Sequence, residues 1–112
     1  MRILNVKEPL GKLLTGEFII GSELTNSHAC YMIYGVLKPE EKERLIKPGK
    51  GHEEIVLILK GKVKVTGIWE GVLTEGEALH IAGEESLFFE NLSPSETIYV
   101  IAGGHSEQGH GH

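Results

Sequence analysis

Cysteine is scarce in this chain, since Cys30 is the only one among 112 residues. A single cysteine cannot form an internal disulfide, which excludes a fold held together by disulfides and removes any need for an oxidising compartment. Long apolar runs are also missing: segment 1–6 is too short for a signal peptide, and no segment reaches the length of a membrane span. We therefore expect a cytoplasmic protein with no membrane partner.

Positive charge is in short supply as well. The chain has 11 lysines and arginines against 16 aspartates and glutamates, a net charge of −5 at pH 7. The two signs are interspersed, so no basic face is predicted that could displace counterions from phosphates. Nucleic acid is therefore not expected as a partner, whereas a small neutral or cationic ligand is compatible with this balance.

Helical periodicity is almost absent, and short runs of valine, isoleucine and aromatic residues recur instead. Each run is ended by glycine, proline or asparagine, which is typical of an all-β sandwich or barrel. The length allows one small domain, in which 40% apolar residues form a single core. The predicted strands are 3–6, 17–20, 29–37, 54–59, 62–66, 78–82, 86–90 and 97–102.

The run 55–59 is apolar at every position. Such a strand is expected to be covered on both faces, on one by the barrel interior and on the other by a second sheet or a partner subunit. We therefore expect a homodimer that pairs through this strand. The charged segment 38–44 contains a proline near its start and is predicted to be an exposed connection.

Two segments carry a recognisable pattern. In the first, Glu54 is followed by five aliphatic residues, and Gly61 ends the run. In the second, Gly76 and Asn91 frame a stretch with a fixed internal spacing. These segments resemble the two conserved motifs of the cupin barrels. The resemblance implies an all-β, single-domain double-stranded β-helix, or jelly-roll barrel, over residues 1–102. Residues 103–112 are glycine, histidine and polar residues, and we predict a flexible tail there.

The positions that hold a metal in cupins have mostly changed. In the family, the ligands are two histidines six and four residues before the glutamate, the glutamate itself, and a histidine of the second motif. Those positions hold Pro48, Lys50, Glu54 and Leu87 here. Proline and leucine side chains have no donor atom, and a charged lysine has no lone pair. The resemblance therefore implies that the usual metal centre is lost, and no cofactor is expected.

The inner cavity is predicted from the same motifs. Lys50 is expected to pair with Glu54, because an unpaired buried carboxylate is costly. Leu87 and Phe89 share a strand face and are expected to make the former metal cavity more apolar. The predicted cavity residues are Lys50, His52, Glu54, His80, Leu87 and Phe89.

An alternative metal site uses other residues. His52 lies two positions before Glu54, hence on the same face of an extended strand, and His80 lies in the strand that opens the second motif. Imidazole and carboxylate together suit a divalent transition metal such as Ni, Zn, Fe or Mn. His28 and Cys30 would add donors if they face the same cavity. The sequence gives the parity within each strand but not which parity faces inward.

Three functions remain open at this level. The one we favour is a small-molecule-binding or regulatory cupin module without the usual metal centre. The second is an enzyme: an oxygenase or isomerase with substituted metal ligands, or a metal-free enzyme with His52 or His80 as general base and Glu54 as its partner. The third is a dimeric structural or interaction protein without a ligand.

Overall fold

The computed structural model of the chain describes residues 1–13 and 16–106, which consist mainly of β-strands. Two short helices, α1 (Lys7–Gly11) and α2 (Ser22–Thr25), lie near the amino terminus. No helix in the described ranges is long and apolar enough to cross a membrane. The all-β class predicted from the sequence is confirmed. The strands are β1 (Glu17–Ile20), β2 (Cys30–Leu37), β3 (Arg44–Ile46), β4 (His52–Lys60), β5 (Lys62–Gly67), β6 (Gly71–Thr74), β7 (Ala78–Ala82), β8 (Leu87–Asn91) and β9 (Thr97–His105).

The strands form two antiparallel sheets that pack face to face. The five-stranded sheet has the order β1-β2-β9-β4-β7, and the four-stranded sheet has the order β3-β8-β5-β6. Because side chains alternate between the two faces of a strand, every second residue enters the space between the sheets. The buried apolar core is drawn from both sheets and comprises Leu37, Ile46, Val56, Ile58, Val63, Val65, Leu73, Ile81, Leu87, Phe89, Tyr99 and Ile101.

Strand β4 has one buried and one open face. Glu54, Val56 and Ile58 point inward and are buried, whereas Ile55 and Leu59 are 53% and 46% exposed on the outer face. The prediction that both faces of this strand are covered therefore holds for the inner face. In the single chain the outer face is open to solvent.

The framework residues of the two motifs have structural roles. The Asn91 side chain is buried and donates to the backbone oxygens of Leu37, Lys38 and Ser95, at 3.2, 2.9 and 2.9 Å. Its Oδ1 accepts from the Thr97 hydroxyl at 2.7 Å. A buried amide with these partners fixes three chain segments at one end of the barrel. The motif asparagine is thus explained by the fold alone.

Some boundaries differ from those predicted. Residues 3–6 are not a strand, and Ile3 is 89% exposed just before α1. The short strands β3 and β6 were missed, since runs this short carry little periodicity. Strand β9 continues past the predicted barrel boundary at 102 as far as His105. The remainder of the predicted tail, from 107 onward, lies outside the described residues.

Candidate functional site

Of the cavity residues predicted from the first motif, two lie on the inner face of β4 and one does not. Glu54 is 5% exposed, and His52, two residues earlier, lies on the same inner face. Lys50 lies in the turn that precedes β4 and is exposed. Among the described residues it forms no ion pair with Glu54, so the predicted Lys50–Glu54 pair is wrong. The turn leaves the lysine in water instead of directing it into the barrel.

His80 lies on the opposite side of the sheet from Glu54. It is the register partner of Ile55, and both point to the outer face. Its Nε2 is 2.8 Å from Oε1 of Glu53, the outward-facing neighbour of Glu54. The trio His52, Glu54 and His80 is therefore not assembled on one face, and His80 borders an open space at the edge of the sheet instead of the space around Glu54. Within residues 1–13 and 16–106, no group of three His, Cys, Asp or Glu side chains could hold a metal ion.

Two further donors weighed from the sequence also miss the cavity. Cys30 begins β2 as the register partner of Gly104 and is exposed on the outer face. His28 precedes β2, and its backbone oxygen is 2.6 Å from Nε2 of His105. The candidate extension of the metal site by His28 and Cys30 is therefore not supported by their positions.

Leu87 and Phe89 both enter the space between the sheets, as predicted from their shared parity. Leu87 is 3% exposed and Phe89 is fully buried. The Phe89 ring meets the Tyr99 ring edge to face, with centroids 5.6 Å apart and planes at 88°. Phe89 therefore fills the core, whereas Leu87 also borders an open space beside it.

That open space is an apolar cleft of about 350 Å³ between the edges of the two sheets. Its inner wall is aliphatic, and Ile68 and Trp69, 61% and 48% exposed, lie on the connection between β5 and β6 at its mouth. The histidine position of the second motif is thus part of a hydrocarbon surface. The residues that line the cleft are Ile68, Trp69, Leu73, Ala78, Leu79, His80, Ile81 and Leu87.

On the inner face of β4, Glu54 is held by a tyrosine that the sequence analysis did not connect with it. The Tyr31 hydroxyl donates to Oε2 of Glu54 at 2.6 Å. Gly103 on β9 is the register partner of both residues, and a Cβ there would lie 2.2 Å from the Tyr31 ring. Burial, and then the bond to Glu54, raises the pKa of the Tyr31 hydroxyl well above its usual value. The ring therefore crosses the glycine as a neutral hydrogen-bond donor.

Two histidines lie at the same end of the barrel. His52 and His105 are register partners on β4 and β9, and their ring centroids are 5.4 Å apart with planes tilted by 35°. The Tyr31 ring meets His52 edge to face at 5.9 Å. Sequence reasoning assigned His105 to the tail; only the pairing of β4 with β9 places it beside His52. We name Tyr31, His52, Glu54 and His105 the rim cluster.

The Glu54 carboxyl group of the rim cluster is nearly buried. No lysine or arginine of the described chain pairs with Glu54. Its carboxylate accepts from Tyr31 across Gly103, on the side of β4 that faces β9. A nearly buried carboxylate stabilised by a neutral donor favours a cation or further donor nearby.

No family model matches the sequence, and no curated protein is similar enough in sequence to be matched. Solved structures do match. A cupin protein from Bacteroides fragilis aligns with a TM-score of 0.68 at 20% identity, over 80% of this chain and 76% of that one. A protein from Thermotoga maritima described as a predicted oxalate decarboxylase gives a TM-score of 0.66 at 18% identity, over 80% and 81% of the two chains.

The cupin domain of Cnp3 from Schizosaccharomyces pombe gives a TM-score of 0.63 at 12% identity. The alignment covers 72% of the present chain and 56% of that one, so this chain spans little more than half of that structure. Similarity at this level of identity establishes an architecture and not an activity. The jelly-roll prediction from the two motifs is confirmed, and the protein has the cupin fold.

Proposed function

We propose that this protein is a small-molecule-binding cupin module in which an apolar cleft has taken the place of the usual metal centre. The observation that carries the proposal is Leu87. It occupies the position of the motif histidine, and it borders an open cleft instead of a closed core. The cleft volume, about 350 Å³, lies within the range of small-ligand pockets, about 300–1,000 Å³.

The lining of the cleft supports a ligand with an apolar body. Leu73, Leu79 and Ile81 supply aliphatic surface, which favours removal of hydrocarbon from water. Trp69 at the mouth offers a large, flat face for contact with a ring. His80, the polar side chain of the lining, supports a polar group at one end of the same ligand. The substrate class we favour is therefore a small amphipathic molecule with an apolar body.

The chain carries its own reporter for this proposal, because Trp69 is its single tryptophan. The probe is 1-anilinonaphthalene-8-sulfonate, which fluoresces in apolar surroundings. Excitation of Trp69 should be followed by emission from the bound dye. Replacing Leu79→Phe narrows the cleft, and we expect it to weaken binding by about 10-fold, the scale on which an apolar pocket responds to a few carbons.

The matched control is Val72→Phe, which adds a similar ring on β6. Val72 is 48% exposed and does not line the cleft. This variant should bind the dye as the parent does. Dye that binds the outer face of the five-stranded sheet instead would be lost in Ile55→Glu and retained in Leu79→Phe, and that result would contradict the proposal.

A second property, homodimerisation, is supported by the outer face of the five-stranded sheet. Met32 and Ile55 flank Ala102 on this face and are 45% and 53% exposed, and Leu59 on β4 is 46% exposed. Apolar side chains in one patch are typical of an interface between copies. In sedimentation analysis, Ile55→Glu should shift a dimer to monomer, whereas Val72→Glu on the other sheet should not. A parent protein that sediments as a monomer would contradict the proposed dimer.

The enzymatic alternative stays a prediction. Of the bases considered, His52 shares the inner face with Glu54, and His80 pairs with Glu53 on the other side. No described arrangement favours a particular reaction.

A further inference from the structure

We propose that His52 and His105 form a binding site for a divalent transition metal at the rim of the barrel, distinct from the lost cupin centre. Neither residue occupies a metal-ligand position of the cupin motifs. The site goes beyond the proposed ligand cleft and does not depend on it. Two observations carry the inference: the spacing of the two imidazoles, and the hydrogen bond that orients one of them.

The spacing matches that of two imidazoles on one metal. With metal–nitrogen bonds of about 2.0–2.1 Å and a tetrahedral angle, two imidazole centroids lie about 5 Å apart. The centroids of His52 and His105 are 5.4 Å apart. Because the residues are direct register partners on β4 and β9, the sheet ladder holds their backbones at a fixed distance. Little chain ordering is therefore needed when a metal binds.

The hydrogen bond of His105 prepares a ligand. Its Nε2 lies 2.6 Å from the backbone oxygen of His28, and a carbonyl oxygen can only accept, so Nε2 carries the proton. In the neutral imidazole this leaves the lone pair on Nδ1. Histidines that bind metals commonly donate their other N–H to a carbonyl or carboxylate in this way, which fixes ring orientation and tautomer. His105 is therefore set to coordinate through Nδ1.

The donor set selects the class of metal. Imidazole ligands suit Zn²⁺, Ni²⁺ and Cu²⁺, and not Mg²⁺ or Ca²⁺, which prefer oxygen. With two protein ligands the remaining coordination positions are open to water or to a bound molecule. A separate contact, that of His80 with the Glu53 carboxylate, lies on the outer face and contributes one imidazole. It serves as an internal control.

The test is zinc titration calorimetry on the full-length, tag-free chain after removal of metals by chelation. His52→Gln and His105→Gln should each weaken Zn²⁺ binding by at least about 10-fold. Glutamine at 105 keeps an N–H donor for the oxygen of His28, so the end of β9 is preserved, and a thermal melt checks that each variant is folded. His80→Gln should bind Zn²⁺ as the parent does. So should the double variant His110→Ala/His112→Ala, which removes the other histidines of the predicted tail.

A second readout tests the coordination itself. In long-range proton–nitrogen spectra of the imidazoles, Zn²⁺ should shift Nδ1 of His105 while Nε2 keeps its proton. The proposal is overturned if either His52→Gln or His105→Gln binds Zn²⁺ with the affinity of the parent, or if Zn²⁺ shifts Nε2 of His105 instead.

Discussion

Two places on the five-stranded sheet have the same construction, yet their surroundings differ. In each, a tyrosine ring crosses a glycine on the neighbouring strand and its hydroxyl donates to a glutamate one strand further on. In the first, Tyr99 crosses Gly35 and donates to Glu17 at 2.5 Å. A Cβ at Gly35 would lie 2.1 Å from the Tyr99 ring. We name this the closed unit.

The second place, the open unit, comprises Tyr31, Gly103 and Glu54. It uses the same two central strands with their roles exchanged, since the tyrosine is on β2 and the glycine on β9. The glutamate is on β4 at the rim, beside the histidine pair. The two units are thus related by the antiparallel pairing of β2 with β9. They differ in what surrounds each carboxylate.

The difference is an arginine. Arg44 on β3 donates to the Tyr99 hydroxyl at 2.8 Å and to Glu41 at 2.6 Å, and its guanidinium lies 4.0 Å from Glu17. It also donates to the backbone oxygen of Val36 at 3.1 Å. The closed unit therefore has its charge neutralised and joins the two sheets. Among the described residues no lysine or arginine pairs with Glu54, so the open unit keeps its carboxyl group without such a cation.

The largest expected effect comes from removing that arginine. Arg44→Met leaves Glu17 and Glu41 without their cation and frees backbone acceptors that are partly buried, and we expect it to lower the free energy of unfolding by about 3 kcal/mol. The control is Lys47→Met, which breaks the exposed pair of Lys47 with Glu84, at 3.1 Å, and should cost less than about 1 kcal/mol. Urea unfolding of both variants measures the difference. Equal losses would show that Arg44 makes only a surface ion pair.

Substitution of the two glycines should give the next largest difference in stability. Gly35→Ala forces a methyl group into the ring of fully buried Tyr99, and we expect a loss of about 2–3 kcal/mol. Gly103→Ala meets the ring of Tyr31, which is only partly buried and can move toward the rim, so we expect about 1 kcal/mol. Thermal and urea unfolding of the two variants rank them. The reverse order would mean that the open unit is the more tightly packed.

Removing the charge of each glutamate in turn should affect the stability of the two units differently. Glu17→Gln removes a charge that faces Arg44, and we expect it to cost about 1 kcal/mol. Glu54→Gln removes a nearly buried charge that has no arginine or lysine partner in the described chain and keeps an oxygen for Tyr31, so stability should change by less than about 0.5 kcal/mol or rise. Chemical denaturation at neutral pH tests both. A larger loss for Glu54→Gln would argue that the open unit is structural.

The smallest expected effect is seen at alkaline pH. Burial, then the bond to a glutamate, raises the pKa of both Tyr31 and Tyr99 above the usual value of about 10. The folded protein therefore keeps these protons after the unfolded chain has lost them. Their contribution to stability is complete below about pH 10 and is lost as the pH rises above it.

Stability measured between about pH 10 and pH 11 should accordingly fall less steeply in Tyr31→Phe and in Tyr99→Phe than in the parent. In a pH titration followed by absorbance at 295 nm, each variant should lack one of the tyrosines that ionise late in the parent. If either hydroxyl ionises at about pH 10 in the folded protein, its contact with the glutamate is absent.

The comparison also explains what the sequence could and could not predict. Most of the strands and the cupin-like motifs followed from local pattern, because alternation and motif spacing are properties of short segments. The outward orientation of His80 could not be predicted in this way. The parity of a strand is local, but which parity faces inward depends on the sheet that the strand joins. His105 was assigned to the tail because Gly103 and Gly104 read as a flexible segment. Gly103 is instead the residue that lets Tyr31 reach Glu54.

The most direct test of the central claim, that an apolar cleft has replaced the metal centre, is a crystal structure of the protein under xenon pressure. Xenon occupies apolar cavities without needing hydrogen bonds. The account predicts xenon density between Leu79, Ile81 and Leu87. Density absent there, with ordered waters filling the same space, would contradict it.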